Sequence, residues 1–272
     1  MLTTENLARS FGGVFAVDDV TTSVSPGELR GIIGPNGAGK STLFNLIGGH
    51  LAPSHGRITY RGESLAGMAP HRRAREGIAI VFQGARLFRG MTALENVMVG
   101  AHAMTHHGFV SAALRLPGHR REERLIAERA EAALERVGLT DFTDVQAESL
   151  PLGQQRRLQV ARALCGEPAL LLLDEPASGL RQQERQSLAA LLHELHEEGI
   201  TMLLIEHDVG FVMNLADRIT VLDLGKVIAE GTPVEVSRDP QVISAYLGRE
   251  NSGQENSSQE NSGQENSNAP SR

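Results

Sequence analysis

The 272-residue sequence is poor in several things: it has one cysteine, no tryptophan and two tyrosines. It also has no apolar run of about 18 residues, so no segment is expected to cross a bilayer. The lone Cys165 cannot close an internal disulfide. Its apolar helical surroundings make it a small core residue rather than a nucleophile. The N-terminal stretch "MLTTENLARSFGG" lacks a basic segment leading into an apolar core, so no secretory leader is expected and the reading is cytoplasmic. Positive charge is in deficit as well. The 26 Lys and Arg against 33 Asp and Glu leave a formal net charge of −7, which argues against a nucleic-acid partner held by phosphate contacts.

What remains is ample for a core. The chain is 40% hydrophobic and 22% charged, enough for one large domain or two small ones. Short β-like runs ("ELRGIIG", "RITY", "GIAIVF", "ALLLLD", "TMLLIE", "RITVLD", "KVIAEG") alternate with helical patterns near 40–48, 93–103, 120–137, 153–166, 182–198, 208–216 and 240–247. That alternation predicts an α/β sheet. "ALLLLD" and "TMLLIE" are apolar throughout, as strands buried on both faces are. The stretch from about 90 to 166 interrupts the alternation with helices alone and reads as an inserted helical subdomain. At the C-terminal end "ENSGQENSSQENSGQENSN" repeats every five residues without a large apolar side chain. It cannot bury enough surface to offset its ordering entropy. The expected organisation is a folded unit over 1–248 and a disordered tail over 249–272.

The stretch "GPNGAGKST" (Gly34, Pro35, Asn36, Gly37, Ala38, Gly39, Lys40, Ser41, Thr42) lies between an apolar strand and a helix. It fits GxxxxGK[ST]. Glycines let successive backbone N–H groups turn inward around phosphate oxygens, and the helix start adds its positive dipole end. Lys40 has the reach for the β- and γ-phosphates, and Ser41 offers a hydroxyl to Mg²⁺. "ALLLLDEP" supplies the rest of a nucleotide site. Asp174 ends a buried strand at the edge where such sheets bind ligands, a place for holding Mg²⁺. Glu175 follows at once, placed to polarise a water attacking the γ-phosphate.

With these motifs the chain resembles the ATP-binding cassette (ABC) ATPases of membrane transporters over roughly residues 2–248. The resemblance implies a P-loop NTPase core with an antiparallel β subdomain and an inserted helical subdomain. It implies ATP and Mg²⁺ as cofactors. Phe11 falls where the family stacks an aromatic on adenine. Gln83 falls at the glutamine that contacts Mg²⁺ and the attacking water, and His207 at the switch histidine facing the γ-phosphate. The family's LSGGQ signature appears as "LPLGQ" at 150–154, where Gly153 and Gln154 remain but Pro151 and Leu152 replace serine and glycine. Arg181 stands where an aspartate is common. These departures, with "FGGVFAVDDV", "QQRRLQVAR" and "VISAYLG", resemble the ATPases of branched-chain amino acid importers. That subfamily implies transmembrane permease subunits, a second related ATPase in a heterodimer, and indirectly a solute-binding protein. The implied location is peripheral, on the cytoplasmic face of the membrane.

Urea or amide import and lipopolysaccharide export are alternatives within the family. Beyond transport stand a soluble cassette ATPase of DNA repair or translation and a phosphate-loop kinase of small molecules. The first usually carries a long coiled coil or a second cassette, and the second would need neither Glu175 after Asp174 nor an "LPLGQ" helix. Three further features carry no site. His102, His106 and His107 read as an exposed loop, "HRRAR" at 71–75 as a solvated helix face. The amphipathic run "RREERLIAERAEAALERVG" reads as a helix packed on its own subdomain through positions including Leu125, Ala132 and Leu134.

Overall fold

The computed structural model describes residues 1–83, 87–104 and 117–246, and the tail lies outside them. Two sheets organise the chain. A six-stranded sheet runs in the order β10-β9-β3-β8-β7-β6. Its strands are β3 (Leu29–Ile33), β6 (Ile78–Val81), β7 (Leu170–Asp174), β8 (Thr201–Ile205), β9 (Arg218–Asp223) and β10 (Lys226–Gly231). Neighbours pair in parallel except β10, which returns antiparallel on β9. The second sheet has the order β2-β1-β4-β5 and pairs antiparallel throughout, from β1 (Leu2–Phe11), β2 (Val14–Val24), β4 (His55–Tyr60) and β5 (Glu63–Ser64).

The continuous apolar runs of the central strands follow from two-sided burial. Leu170 and Leu172 of β7 face α1 (Lys40–Gly48), packing with its Leu43, Phe44 and Ile47. Leu171 and Leu173 face the opposite way, into a core shared with α5 (Leu152–Leu164), α6 (Gln182–Glu197) and α7 (Val209–Leu215). A strand with side chains alternating into two cores has no polar face to offer. Between β6 and β7 the described residues carry α3 (Ala93–Met98), a 3₁₀ turn over Val99–Met104, α4 (Pro117–Arg136) and α5. Two short helices, α2 (Pro70–Arg75) and α8 (Pro233–Ser237), and a helix over 240–246 complete the chain.

Three sequence expectations change here. First, the opening 24 residues, where the residue pattern alone marked no strand, form the β1–β2 pair of the antiparallel subdomain that the resemblance implied. Register shifts at Thr4/Leu7, Leu7/Arg9 and Arg9/Ser10 break the period-two pattern on which a strand reading depends. Asn6 and Asp19 take left-handed backbone at these bulges and hydrogen-bond each other at 2.7 Å. Second, α2 is not a solvated face throughout. Arg73 is only 4% exposed. It donates to the carbonyls of Leu46, Ile47, Leu65 and Met68 at 2.6–3.0 Å, and so ties the end of α1, including the Ile47 carbonyl, to the segment before α2. Third, Leu125 and Ala132 of α4 face solvent, and the packed stripe is Ile126, Ala130, Ala133, Leu134 and Val137 just beyond the helix.

The parallel register aligns the strand ends. Ile32 pairs with Ile205, Asp174 with Ile205, and Val81 with Leu173. The segments following β3, β6, β7 and β8 therefore leave the sheet on one edge, the carboxyl edge, and each carries a residue of the candidate site.

Candidate functional site

The loop after β3 is a rigid cradle. At Gly39 the backbone has φ 102°, and a Cβ there would stand 2.1 Å from the Ala16 carbonyl oxygen. At Gly34 a Cβ would stand 2.1 Å from the Leu222 carbonyl oxygen. Only glycine fits either position, because the loop is pressed against β2 and β9 from outside. The β9–β10 turn grips it as well: Gly225 N–H donates to Ala38 O at 3.0 Å, and Asp18 N–H donates to Gly225 O at 2.8 Å. Tyr246, from the helix over 240–246, packs on the core. Burial pushes its hydroxyl up to about 12, with the Gly34 backbone beside it pulling the other way. Lys40 is 7% exposed, and its ammonium donates to the carbonyls of Gly34 at 2.7 Å and Pro35 at 3.0 Å. Residues Asn36–Thr42 line a cavity of about 370 Å³ together with Phe11, Ala16 and Glu175.

Phe11 sits at the end of β1, half exposed, with the Arg9 guanidinium 4.8 Å from its ring centre. An exposed ring beside a phosphate-sized cradle is a surface for a planar base. Across the cavity, Asp174 closes β7. Burial raises its carboxyl from the usual value, the Glu175 carboxylate adds to that, and Lys40 opposes it. Glu175 leaves the strand in left-handed backbone (φ 46°), its N–H bonded to Ile205 O at 2.9 Å. Its Oε2 accepts from Gln83 Nε2 at 2.7 Å and lies 3.6 Å from His207 Nδ1. Gln83 Nε2 also reaches Ser178 Oγ at 3.4 Å. Three loops thus meet at one carboxylate.

Gly153 and Gln154 do not line this cavity. They open α5, where Pro151 is the N-cap and offers no side-chain hydrogen bond of its own. Gly153 N–H donates to Glu184 Oε1 at 3.3 Å, while Glu184 Oε2 accepts from Arg181 N–H at 2.9 Å. One carboxylate on α6 therefore fastens the "LPLGQ" start to the loop after Glu175. Its position three residues past a helix start was the only sequence signal for this role. The buried Gln154 Oε1 has no hydrogen-bond partner.

Sequence reasoning also passed over Glu206. It is 1% exposed, and its Oε1 accepts from Ala177 N–H at 2.8 Å. Burial raises its carboxyl above the usual range, with the Ala177 N–H and His207 pulling it down. Its neighbour His207 drew attention instead, because a histidine after a strand reads as chemistry and a glutamate closing an apolar run reads only as the strand's boundary. No group of three His, Cys, Asp or Glu able to hold a metal occurs among the described residues. His106, His107 and the His102 side chain lie outside them.

A phosphate-sized cradle, a strand-end carboxylate pair and a helical insertion, all on the carboxyl edge of a parallel sheet, define a P-loop ATPase of the ATP-binding cassette class. A profile of the family described as "ABC transporter" matches residues 17–178, and the chain belongs to that family. Residues 226–251 match a second profile, "Branched-chain amino acid ATP-binding cassette transporter". The chain is 43% identical over 249 residues to the high-affinity branched-chain amino acid transport ATP-binding protein BraF of Pseudomonas aeruginosa, covering 91% of this chain and 98% of that one. It is 42% identical over 249 residues, with the same coverage, to LivG of Escherichia coli, which bears the same description. The lipopolysaccharide export ATP-binding protein LptB of Haemophilus influenzae is 33% identical over 250 residues, covering 92% of this chain and 98% of its own. Among solved structures, the ADP conformation of an ATP-binding cassette of an ABC transporter matches with TM-score 0.80 and 33% identity, over 91% of this chain and 98% of that one. No described helix is long and apolar enough to cross a membrane.

Proposed function

We propose that this chain is the ATP-hydrolysing subunit that powers uptake of branched-chain or related amino acids through partner permeases. The observation that carries the chemistry is the convergence on Glu175. A carboxylate beside the phosphate cradle, touched by Gln83 and 3.6 Å from His207, is placed to take a proton from an attacking water. In this reading Lys40 and the loop N–H groups hold the β- and γ-phosphates. Phe11 stacks on the adenine, and His207 faces the γ-phosphate. Ser41, Asp174 and Gln83 offer the hard oxygen donors that suit Mg²⁺, and a cation there would relieve the raised Asp174 carboxyl. When bound, Mg²⁺ neutralises charge on the phosphates.

A groove of about 460 Å³ supports the permease partner. It lies where α2 and β6 meet the helical insertion, with His71, Ile80, Phe82, Phe88, Gly100 and Arg162 among its lining residues. Phe88 is half exposed there, under the Arg162 guanidinium at 5.7 Å. An apolar slot rimmed by one cation accepts a short helical segment of a membrane subunit. The chain would then work peripherally on the cytoplasmic face. With "LPLGQ" in place of the fuller signature, a heterodimer with a second, related ATPase is favoured over two identical copies. A solute-binding protein would complete the system outside. The amino acid reading is preferred to lipopolysaccharide export because identity to the amino acid transport proteins is 42–43%, against 33% for the export protein.

Glu175→Gln tests the proposal. ATP affinity should persist, while turnover falls about 10²–10⁴-fold because the amide cannot accept a proton. Turnover within a few-fold of wild type would remove Glu175 from the chemistry.

A further inference from the structure

The two loops that flank Glu175 are held by a side chain from a third element. Arg156 lies on the first turns of α5, two residues past the "LPLGQ" glutamine. Its Nη1 donates to the backbone carbonyl of Gln83 at 3.1 Å and to Gln159 Oε1 at 3.2 Å. Its Nη2 donates to the carbonyl of Ser178 at 3.3 Å. Its Nε is buried and has no hydrogen-bond partner among the described residues. The same two residues meet again on their far side, where Gln83 Nε2 binds Glu175 Oε2 and reaches Ser178 Oγ. One guanidinium therefore fixes the backbone of the residue whose side chain orients the proposed base. A planar fork donates from two nitrogens in fixed, divergent directions, whereas an ammonium donates from a single point on a flexible stem.

We infer that Arg156 is a positioning residue that carries the orientation of α5 to Glu175 through the Gln83 and Ser178 carbonyls. Any rotation of α5 drags both carbonyls and so turns the Gln83 amide toward or away from Glu175. Opening of the helical insertion would thereby misplace the base without disturbing the phosphate cradle, which Arg156 does not line. Misplacement of a reacting group by about 1 Å costs up to about 10²-fold in rate.

This inference rests on the roles proposed above for Gln83 and Glu175, and a double-mutant cycle separates the two. Steady-state ATPase kinetics and ATP binding would be measured for the wild type, Arg156→Gln, Arg156→Lys, Gln83→Ala and Gln83→Ala/Arg156→Gln. Arg156→Gln should lower kcat about 10-fold or more with the KM for ATP within about twofold. Arg156→Lys should recover part of the loss. In the Gln83→Ala background the same Arg156→Gln change should cost less than about threefold, because the contact it orients is gone. The positioning role is overturned if Arg156→Gln leaves kcat unchanged, or if its full factor persists in the Gln83→Ala background. It is also overturned if the loss tracks a fall in melting temperature that Arg156→Lys does not relieve. Gln83→Ala alone tests the earlier reading: normal turnover there removes Gln83 from the site.

Discussion

Replacing Arg73 by methionine should unfold the protein at a markedly lower temperature, although Arg73 lies outside the nucleotide cavity. The substitution keeps most of the stem and deletes the guanidinium. Four carbonyls lose the guanidinium: Leu46 at 2.8 Å, Ile47 at 2.6 Å, Leu65 at 2.9 Å and Met68 at 3.0 Å, of which Leu46 keeps the Gly49 N–H at 3.3 Å and Leu65 the Met68 N–H at 3.1 Å. A hydrogen bond from a charged group is worth about 1.5–3 kcal/mol net, and a buried acceptor left unpaired costs about 1–3 kcal/mol. The four share one side chain and one neighbourhood, so they do not add in full. The expected loss is about 3–5 kcal/mol, at the high end for a single substitution. At about 2–4 °C per kcal/mol for a chain of this size, the midpoint should fall by about 6–20 °C. Urea denaturation with linear extrapolation gives the free energy, and thermal unfolding gives the midpoint. Arg73→Lys, with one point donor in place of a fork, should fall between. A loss under about 1 kcal/mol for Arg73→Met would mean that water or a shifted side chain satisfies those carbonyls and that Arg73 is no cap.

Lys40→Ala should lower turnover at least about 10²-fold while the chain still folds, because it removes the cation at the loop mouth. Phosphate release and fluorescence titration with ATP would read this, and near-normal values for both would exclude the loop as the phosphate site. Cys165, 1% exposed with its thiol pushed up to about 11, should resist alkylation by iodoacetamide at pH 8 until the chain is unfolded. Rapid modification of the native protein, followed by mass spectrometry, would contradict the burial. Pro151→Ser puts a hydroxyl acceptor at the N-cap beside the Glu184 contact to Gly153, which should stabilise that helix start by about 1 kcal/mol or less and strengthen ATP-dependent dimerisation in size-exclusion chromatography. Weaker or unchanged dimerisation would show that the subfamily's clamp is built around proline.

How much was legible beforehand depended on whether a signal was local. The loop at 34–42 could be read as a candidate phosphate cradle because Gly34, Gly39, Lys40 and Ser41 lie within nine residues of one another, between a strand and a helix that announce themselves. Asp174 and Glu175 stood out as candidates for the same reason, at the end of five apolar residues. Arg73 was not, because its partners lie at 46–47 and 65–68 and a cluster "HRRAR" reads as charge seeking water. β1 and β2 were not, because bulges shift the inward face partway along each strand. Arg156 stayed hidden among "QQRR", where nothing in the spacing distinguishes it from Arg157. Arg157 instead holds the carbonyls of Val137 and Ser187.

The turn between β9 and β10 has a consequence for how nucleotide is received. Gly225 binds Ala38 on one side and Asp18 on the other, and Lys226 pairs with Asp18 at 3.2 Å. The cradle is thereby stitched to both sheets at once. Its shape is settled when the chain folds, so little disorder remains to be removed when ATP arrives. Calorimetry of ATP binding should accordingly show a small ordering entropy and a heat-capacity change no larger than the buried adenine face requires. In the reading proposed above, adjustment falls to the loops of Gln83 and Ser178, whose carbonyls Arg156 ties to α5. The molecule would then divide into a fixed receptacle and a movable trigger.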